Sequence, residues 1–191
     1  MSYRKEKFKS LLGVDTNLLD TASLKTMSRS ILDAGMHGFC FSPYEEGQKP
    51  GDKISDKQIL RKLNIIKPYT KWIRTFSCTE GNERIPVLAK ELGLKTLVGA
   101  WLSDNKLTNE KEINGLISLC KSGHVDVAGV GNEVLYRKEM SENKLIDYIN
   151  LVKKNIEEIF KLTHKHRMFK NEKNALVTLN DEFYNLFLKP L

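Results

Sequence analysis

The sequence predicts an α/β protein built on a parallel sheet, and three observations predict it. Apolar runs begin near residues 38, 72, 95, 125 and 175. Stretches with apolar residues at helical spacing lie between them. The runs show little polar alternation, as expected of parallel strands covered on both faces.

The elements follow in order. Thr21 to Ala34 carries Leu24, Met27, Ile31 and Leu32 on one helical face, an N-terminal extension over 1–37 placed against the first strand–helix units. Gly38 to Pro43 (GFCFSP) is a short apolar run closed by proline and reads as strand one. Ser55 to Gln58 reads as a capping box. Ile59, Leu60, Leu63 and Ile66 then share a face, and Pro68 stops that helix. Trp72 to Ser77 is strand two. Asn82 is placed as the N-cap of a helix with Ile85, Leu88, Ala89 and Leu92, closed by Gly93.

Lys95 to Leu102 is strand three. A helix with Ile113, Leu116, Ile117 and Cys120 follows and ends at Gly123. Val125 to Gly131 is strand four. Ser141 caps a fourth helix carrying Leu145, Ile146, Ile149, Val152 and Ile156. Ala175 to Leu179 reads as a fifth strand. One domain is expected over 38–191.

Composition excludes several functions. The chain has 191 residues, 31 basic against 24 acidic, a formal net charge of +7. The basic residues are scattered rather than gathered on a face, so nucleic acid is not the expected partner. The densest stretch, Lys161 to Lys170, reads as a solvated helix end, and His164 and His166 are spaced badly for chelation. No apolar run is long enough to span a membrane. No signal-peptide core follows the basic start, which gives a cytoplasmic expectation. Cys40, Cys78 and Cys120 fit neither a disulfide framework nor a zinc site. No metal or cofactor is expected. Gly129-Val-Gly131 begins a dinucleotide fingerprint, but Val134 stands where the third glycine or alanine belongs.

In parallel α/β folds, chemistry collects at the carboxyl ends of strands. Those positions hold Tyr44, Glu45 and Glu46, then Arg74 to Glu80, then Trp101 to Asp104, then Asn132 and Glu133. Aromatic rings with amides and charges suit a sugar. Glu133 follows an apolar strand directly, so a half-buried carboxyl is expected there, suited to a general acid. A surface glutamate is the competing reading. Arg74 sits in an apolar strand and needs a partner, with Glu133 the candidate. Trp101 reads equally as a sugar platform or as core. Cys78 has no activating histidine nearby.

These segments resemble a known family. Gly38 to Gln48, Ile73-Arg-Thr-Phe76, Leu97-Val-Gly-Ala-Trp-Leu102 and Val130-Gly-Asn-Glu-Val-Leu135 are similar, in order and spacing, to motifs of glycoside hydrolase family 17. The resemblance covers about Gly38 to Lys154. It implies a parallel (β/α)8 TIM-barrel type of fold, incomplete here, with about the first four to five units. A full barrel takes about 250 residues, and length alone favours a doubly wound open sheet instead. The resemblance also implies a retaining hydrolase acting on β-1,3-glucan, from a family often secreted. It assigns Glu133 as acid/base and Asn132 as a partner of the sugar 2-hydroxyl. Arg74, Trp101 and Tyr44 are carried as substrate-lining residues. Phe41 stands where many members have tyrosine.

The family's nucleophile lies in a Glu-Thr-Gly-Trp context, which does not occur in this sequence. Glu45 and Glu80 belong to the same strand-end region but do not match that position. The chain is therefore expected to be inactive, or a non-catalytic relative that binds glucan weakly. Exposed sheet edges are expected to favour self-association.

Overall fold

In the computed structural model of the chain, the described residues are Gly13 and 15–166. They divide into two compact units, with the boundary between Met36 and His37. In the first unit, helix α1 spans Thr21–Ala34. The Asp20 side chain accepts from the Ser23 amide at 2.7 Å and starts it. None of its residues is buried.

The second unit alternates strands and helices: β1 (Met36–Cys40), α2 (Asp56–Ile66), β2 (Thr70–Thr75), α3 (Arg84–Glu91), β3 (Lys95–Ala100), α4 (Lys106–Lys121), β4 (Val127–Val130) and α5 (Glu142–His166). The four strands form one parallel sheet in chain order, β1-β2-β3-β4. Arg74 pairs with Leu97 across β2 and β3, and Leu97 with Val127 across β3 and β4. Ala175 to Leu179 lies outside the described residues.

Most helix ends follow sequence chemistry. The Ser55 hydroxyl accepts from the Gln58 amide at 3.2 Å. Gly93 and Gly123, both with φ of +78°, follow the ends of α3 and α4, where left-handed backbone suits glycine. The Ser141 hydroxyl accepts from the Lys144 amide at 3.4 Å. The Asn82 expectation fails. Helix α3 starts at Arg84, and Glu83 precedes it without a side-chain cap bond. Asn82 is buried and donates to the Tyr44 hydroxyl and the Thr79 carbonyl, both at 3.1 Å. It ties two loops together instead of capping.

The strand windows also shift. β1 and β2 begin two residues earlier than their apolar runs and end before them. Phe41 is buried, yet it follows the end of β1. Apolar content marks burial, and the Phe41 amide still donates to the Arg74 carbonyl of β2 at 2.8 Å just beyond the end of β1.

The sheet is not buried evenly. Ile73, Thr75, Thr96, Val98 and Ala100 share the face under the helices and are all buried. On the other face Trp72 and Leu97 are half-buried and Arg74 is exposed. The expectation of two covered faces thus fails for the described residues, because α2 to α5 supply apolar side chains to one face. The core lies there in two clusters. Ile59, Leu63, Ile73, Ile85 and Leu88 fill one. Val98, Leu102, Ile113, Leu116, Val134 and Val152 fill the other. Ile146, expected on the core side of α5, is exposed. Leu145, Val152 and Ile156 pack as expected, and Tyr148 joins them in place of Ile146.

Two glycines allow close approach. A Cβ on Gly115 would meet the Cys78 carbonyl oxygen at 2.6 Å, and one on Gly99 would meet the Thr75 carbonyl oxygen at 2.8 Å. Helix propensity alone favours alanine over glycine at position 115 by about 1 kcal/mol. The clash is with backbone, which cannot step aside, and overpacking costs about 1–3 kcal/mol. Gly115→Ala is therefore expected to lower the urea midpoint. A raised midpoint would contradict this contact.

Candidate active site

The segments that follow the carboxyl ends of β2 and β3 are held by one buried side chain. Glu112 on α4 is only 2% exposed. One carboxyl oxygen accepts from the Ser77 and Thr79 hydroxyls, each at 2.6 Å. The other accepts from the Cys78 amide at 2.8 Å and the Trp101 amide at 3.0 Å. Two segments that leave the sheet in parallel are thereby tied to one helix. Asn109, one turn earlier and fully buried, does the same for Ser103. It accepts from the Ser103 amide and donates to the Ser103 carbonyl, both at 2.8 Å.

The strand-end residues meet on this support. The Arg74 guanidinium, at the end of β2, donates to Asn132 Oδ1 at 2.8 Å and lies 4.9 Å over the Phe76 ring. Arg74 is exposed, and its partner is Asn132 rather than Glu133. A partner was required, but a neutral amide meets that need in a solvent-facing setting. Trp101 is 38% exposed, and the Arg137 guanidinium covers one face of its ring at 4.5 Å. Arg137 also donates to the Asn132 carbonyl, to the Leu102 carbonyl at 2.7 Å, and to Glu139 Oε2 through two nitrogens. Its charge holds the Glu139 carboxyl below the usual range, chiefly through that side-chain hydrogen bond.

Glu133 follows Asn132 with φ of +53°, a left-handed conformation unusual for a residue with a side chain. Its carbonyl accepts from the Arg137 amide at 2.8 Å. The residue is exposed. The half-buried setting expected for its carboxyl is absent, because the chain breaks away from the sheet at Gly131, with φ of +82°, before reaching it. Among the described residues, no hydrogen bond or ion pair occupies that carboxyl.

The structure thus brings Arg74, Trp101, Asn132 and Glu133 to one end of the sheet, linked through Arg137. Tyr44 stands apart from that linkage: its hydroxyl accepts from Asn82, and its ring packs against the β1–β2 core cluster. Glu45 is ion-paired with Arg61 on α2. The Glu80 carboxyl reaches toward Gly51, and Glu80 has φ of +56°. The cysteines carry no disulfide. Burial pushes the Cys78 thiol well up and the Cys120 thiol up to about 12, so neither is a ready nucleophile. Among the described residues, no three His, Cys, Asp or Glu side chains group to hold a metal. No described helix is long and apolar enough to cross a membrane.

Sequence reasoning missed Glu112, Asn109 and Arg137. The α4 stripe of Ile113, Leu116, Ile117 and Cys120 continues backward onto 112 and 109 at the same spacing. A polar side chain on a core stripe, opposite the Ser-Cys-Thr run at 77–79, was the available signal.

Residues 38–183 match the sequence model of the BtgE/BtgC glycoside hydrolase domain. The chain belongs to this glycoside hydrolase family. The match takes in all of β2 to β4, the site residues and α5. A glucan endo-1,3-beta-glucosidase, btgC of Emericella nidulans, is 27% identical over 160 residues. That region is 74% of this chain and 24% of the Emericella protein, so the chain spans about a quarter of that relative's length. No solved structure matches the chain. The four-motif resemblance read from the sequence therefore holds at the level of a β-1,3-glucanase-like glycoside hydrolase. This BtgE/BtgC domain carries its polar and aromatic residues where a parallel sheet opens.

The Glu112 arrangement predicts an ordered pair of effects. Glu112→Gln keeps an oxygen for the two backbone amides and offers a carboxamide NH2 whose N–H groups can donate to the Ser77 and Thr79 hydroxyl oxygens. It should cost about 1 kcal/mol, whereas Glu112→Leu strands both backbone amides and should cost about 3 kcal/mol or more. Urea unfolding of both variants checks this; equal costs would contradict it.

Proposed function

We propose that this chain supplies the acid/base side of a retaining β-1,3-glucan hydrolase site, within the first four units of a (β/α)8 barrel of the glycoside hydrolase family 17 type. Glu133 is the acid/base residue. The observation that carries the reading is the free, strand-end carboxyl of Glu133 beside an Asn132 fixed at both its side chain and its carbonyl. The family membership and the Emericella relative's printed activity support the substrate class.

In this mechanism Glu133 protonates the leaving glycosidic oxygen. Asn132 hydrogen-bonds the 2-hydroxyl of the sugar, a contact that strengthens as the ring becomes oxocarbenium-like. Its side-chain oxygen is taken by Arg74, which leaves the amide NH2 free to donate to that hydroxyl. Trp101 offers the face not covered by Arg137 to a sugar ring. Tyr44, tied to Asn82 and packed on the β1–β2 core cluster, stands apart from these residues and takes no step in this mechanism.

A retaining mechanism also needs a nucleophilic carboxylate about 5 Å from the acid. Glu45 is engaged by Arg61, Glu112 is buried under four donors, and Glu139 is engaged by Arg137. General acid catalysis alone gives about 10²–10⁴-fold, against 10⁶-fold or more for typical enzymes, as an order of magnitude. The 191-residue chain is therefore proposed to bind β-1,3-glucan and to turn it over barely or not at all.

The test is reducing-sugar release from laminarin by the chain and by Glu133→Gln. Near-background release from both, with oligosaccharide binding retained, is expected. Clear turnover by the chain that Glu133→Gln abolishes would mean that a second carboxylate acts, with Glu45 and Glu80 the first to substitute.

A further inference from the structure

Arg137 lies outside every motif that the substrate chemistry requires, yet it makes more polar contacts at the strand ends than any residue there except Glu112. Its guanidinium serves the Asn132 carbonyl, the Leu102 carbonyl and Glu139 together, and stacks on Trp101 at 4.5 Å. Its amide donates to the Glu133 carbonyl at 2.8 Å. The turn that contains it is closed further by the Glu139 amide on the Val134 carbonyl and the Lys138 amide on the Leu135 carbonyl, both at 3.1 Å. Glu133 and Lys138, at either end of this turn, both have positive φ, +53° and +59°. Such backbone persists only where surrounding contacts over-determine it. The side chain of Arg137 is 20% exposed, so these contacts are partly shielded from water.

We infer that Arg137 is the positioning residue of this site: it clamps the Asn132–Glu133 turn onto the end of β3 and onto the Trp101 ring. The inference rests on the reading of Glu133 as the acid/base. Among the described residues, the Glu133 carboxyl has no hydrogen bond or ion pair to fix it, and the residue is held through its backbone carbonyl. Its direction is therefore set by the backbone of its turn, and beyond the Gly131 amide on the Ala100 carbonyl at 3.1 Å the guanidinium joins that turn to the segment after β3. A planar fork with five donors suits three acceptors in different directions, and a lysine ammonium on a flexible stem does not replace it. The stacking also fixes which face of Trp101 remains for a sugar.

The experiment uses the full chain with Arg137→Met and Arg137→Lys. Amide hydrogen exchange is read by NMR at residues 133 to 139, with the buried Cys78 amide as the internal reference for folding. Laminaritriose titration is read at the same amides and by Trp101 fluorescence in a Trp72→Phe background. The Met variant should speed exchange at the 137 and 139 amides by about tenfold or more, with the Cys78 amide unchanged. Its laminaritriose affinity should fall by about tenfold, and Lys should restore neither fully. If the Met variant does not fold, Glu139→Gln, which weakens the guanidinium's anchor, should accelerate the same two amides to a smaller extent. Unchanged exchange at 137 and 139 in a folded variant overturns the clamp. Unchanged laminaritriose affinity despite faster exchange overturns the positioning role. Accelerated exchange in a chain that shows no laminaritriose response at all upholds the clamp and overturns the glucan reading instead.

Discussion

The strand-end region depends on one buried carboxyl. In a parallel sheet the segments leaving adjacent strands have no ladder to hold them together. Here Glu112 takes two backbone amides and two hydroxyls from the segments after β2 and β3. Without it the buried Cys78 amide would have no partner, at a cost of about 1–3 kcal/mol, and the part-buried Trp101 amide and the two hydroxyls would lose their shared acceptor. The same contact explains Gly115. The next turn of α4 must let the Cys78 carbonyl approach so closely that a Cβ would stand 2.6 Å away.

From that support the site is assembled outward in two steps. Trp101 is fixed at its amide by Glu112 and at its ring by Arg137. Arg137 passes the position on to Asn132, and Arg74 holds the Asn132 side chain from the other direction. Glu133 completes the series with a carboxyl open to solvent. The opposite end of the sheet is tied differently. Asp126 accepts from the Thr96 amide at 2.7 Å and pairs with Lys90 at 2.7 Å. The amino ends of β3 and β4 are thus secured by an ion-paired staple, and the segments after β2 and β3 by a carboxyl bonded only to neutral donors. The cations of the carboxyl end act on Asn132 instead: Arg74 bonds its side-chain oxygen, and Arg137, itself paired with Glu139, bonds its carbonyl.

Much of this was legible in the residues, and the failures share causes. Helix α1 has the expected bounds, and α2 starts at Ser55, because capping chemistry is local. The strand centres were legible as apolar runs, but their ends were not. Phe41 stays buried after β1 has ended, and Thr70 and Lys71 join β2 without being apolar. Asn82 looked like a cap and is a loop tie, since the same side-chain chemistry serves both uses. Of the site, the strand-end positions of Arg74, Trp101, Asn132 and Glu133 were legible from the alternation of elements. Their partners were not. Glu133 was expected to be half-buried, but two left-handed residues, Gly131 and Glu133, turn the chain off the sheet. Glu112 and Asn109 were hidden by reading the α4 stripe through its apolar members alone. The periodicity that placed Leu116 also placed them.

Hydrogen exchange at two amides tests the central role of Glu112 most directly. The Cys78 and Trp101 amides lie beyond the last paired residues of β2 and β3, where strand-end amides ordinarily exchange quickly. If the Glu112 carboxyl holds them, both should exchange as slowly as the ladder amides of β2 and β3. Exchange as fast as in the exposed segment around Glu46 would contradict the account.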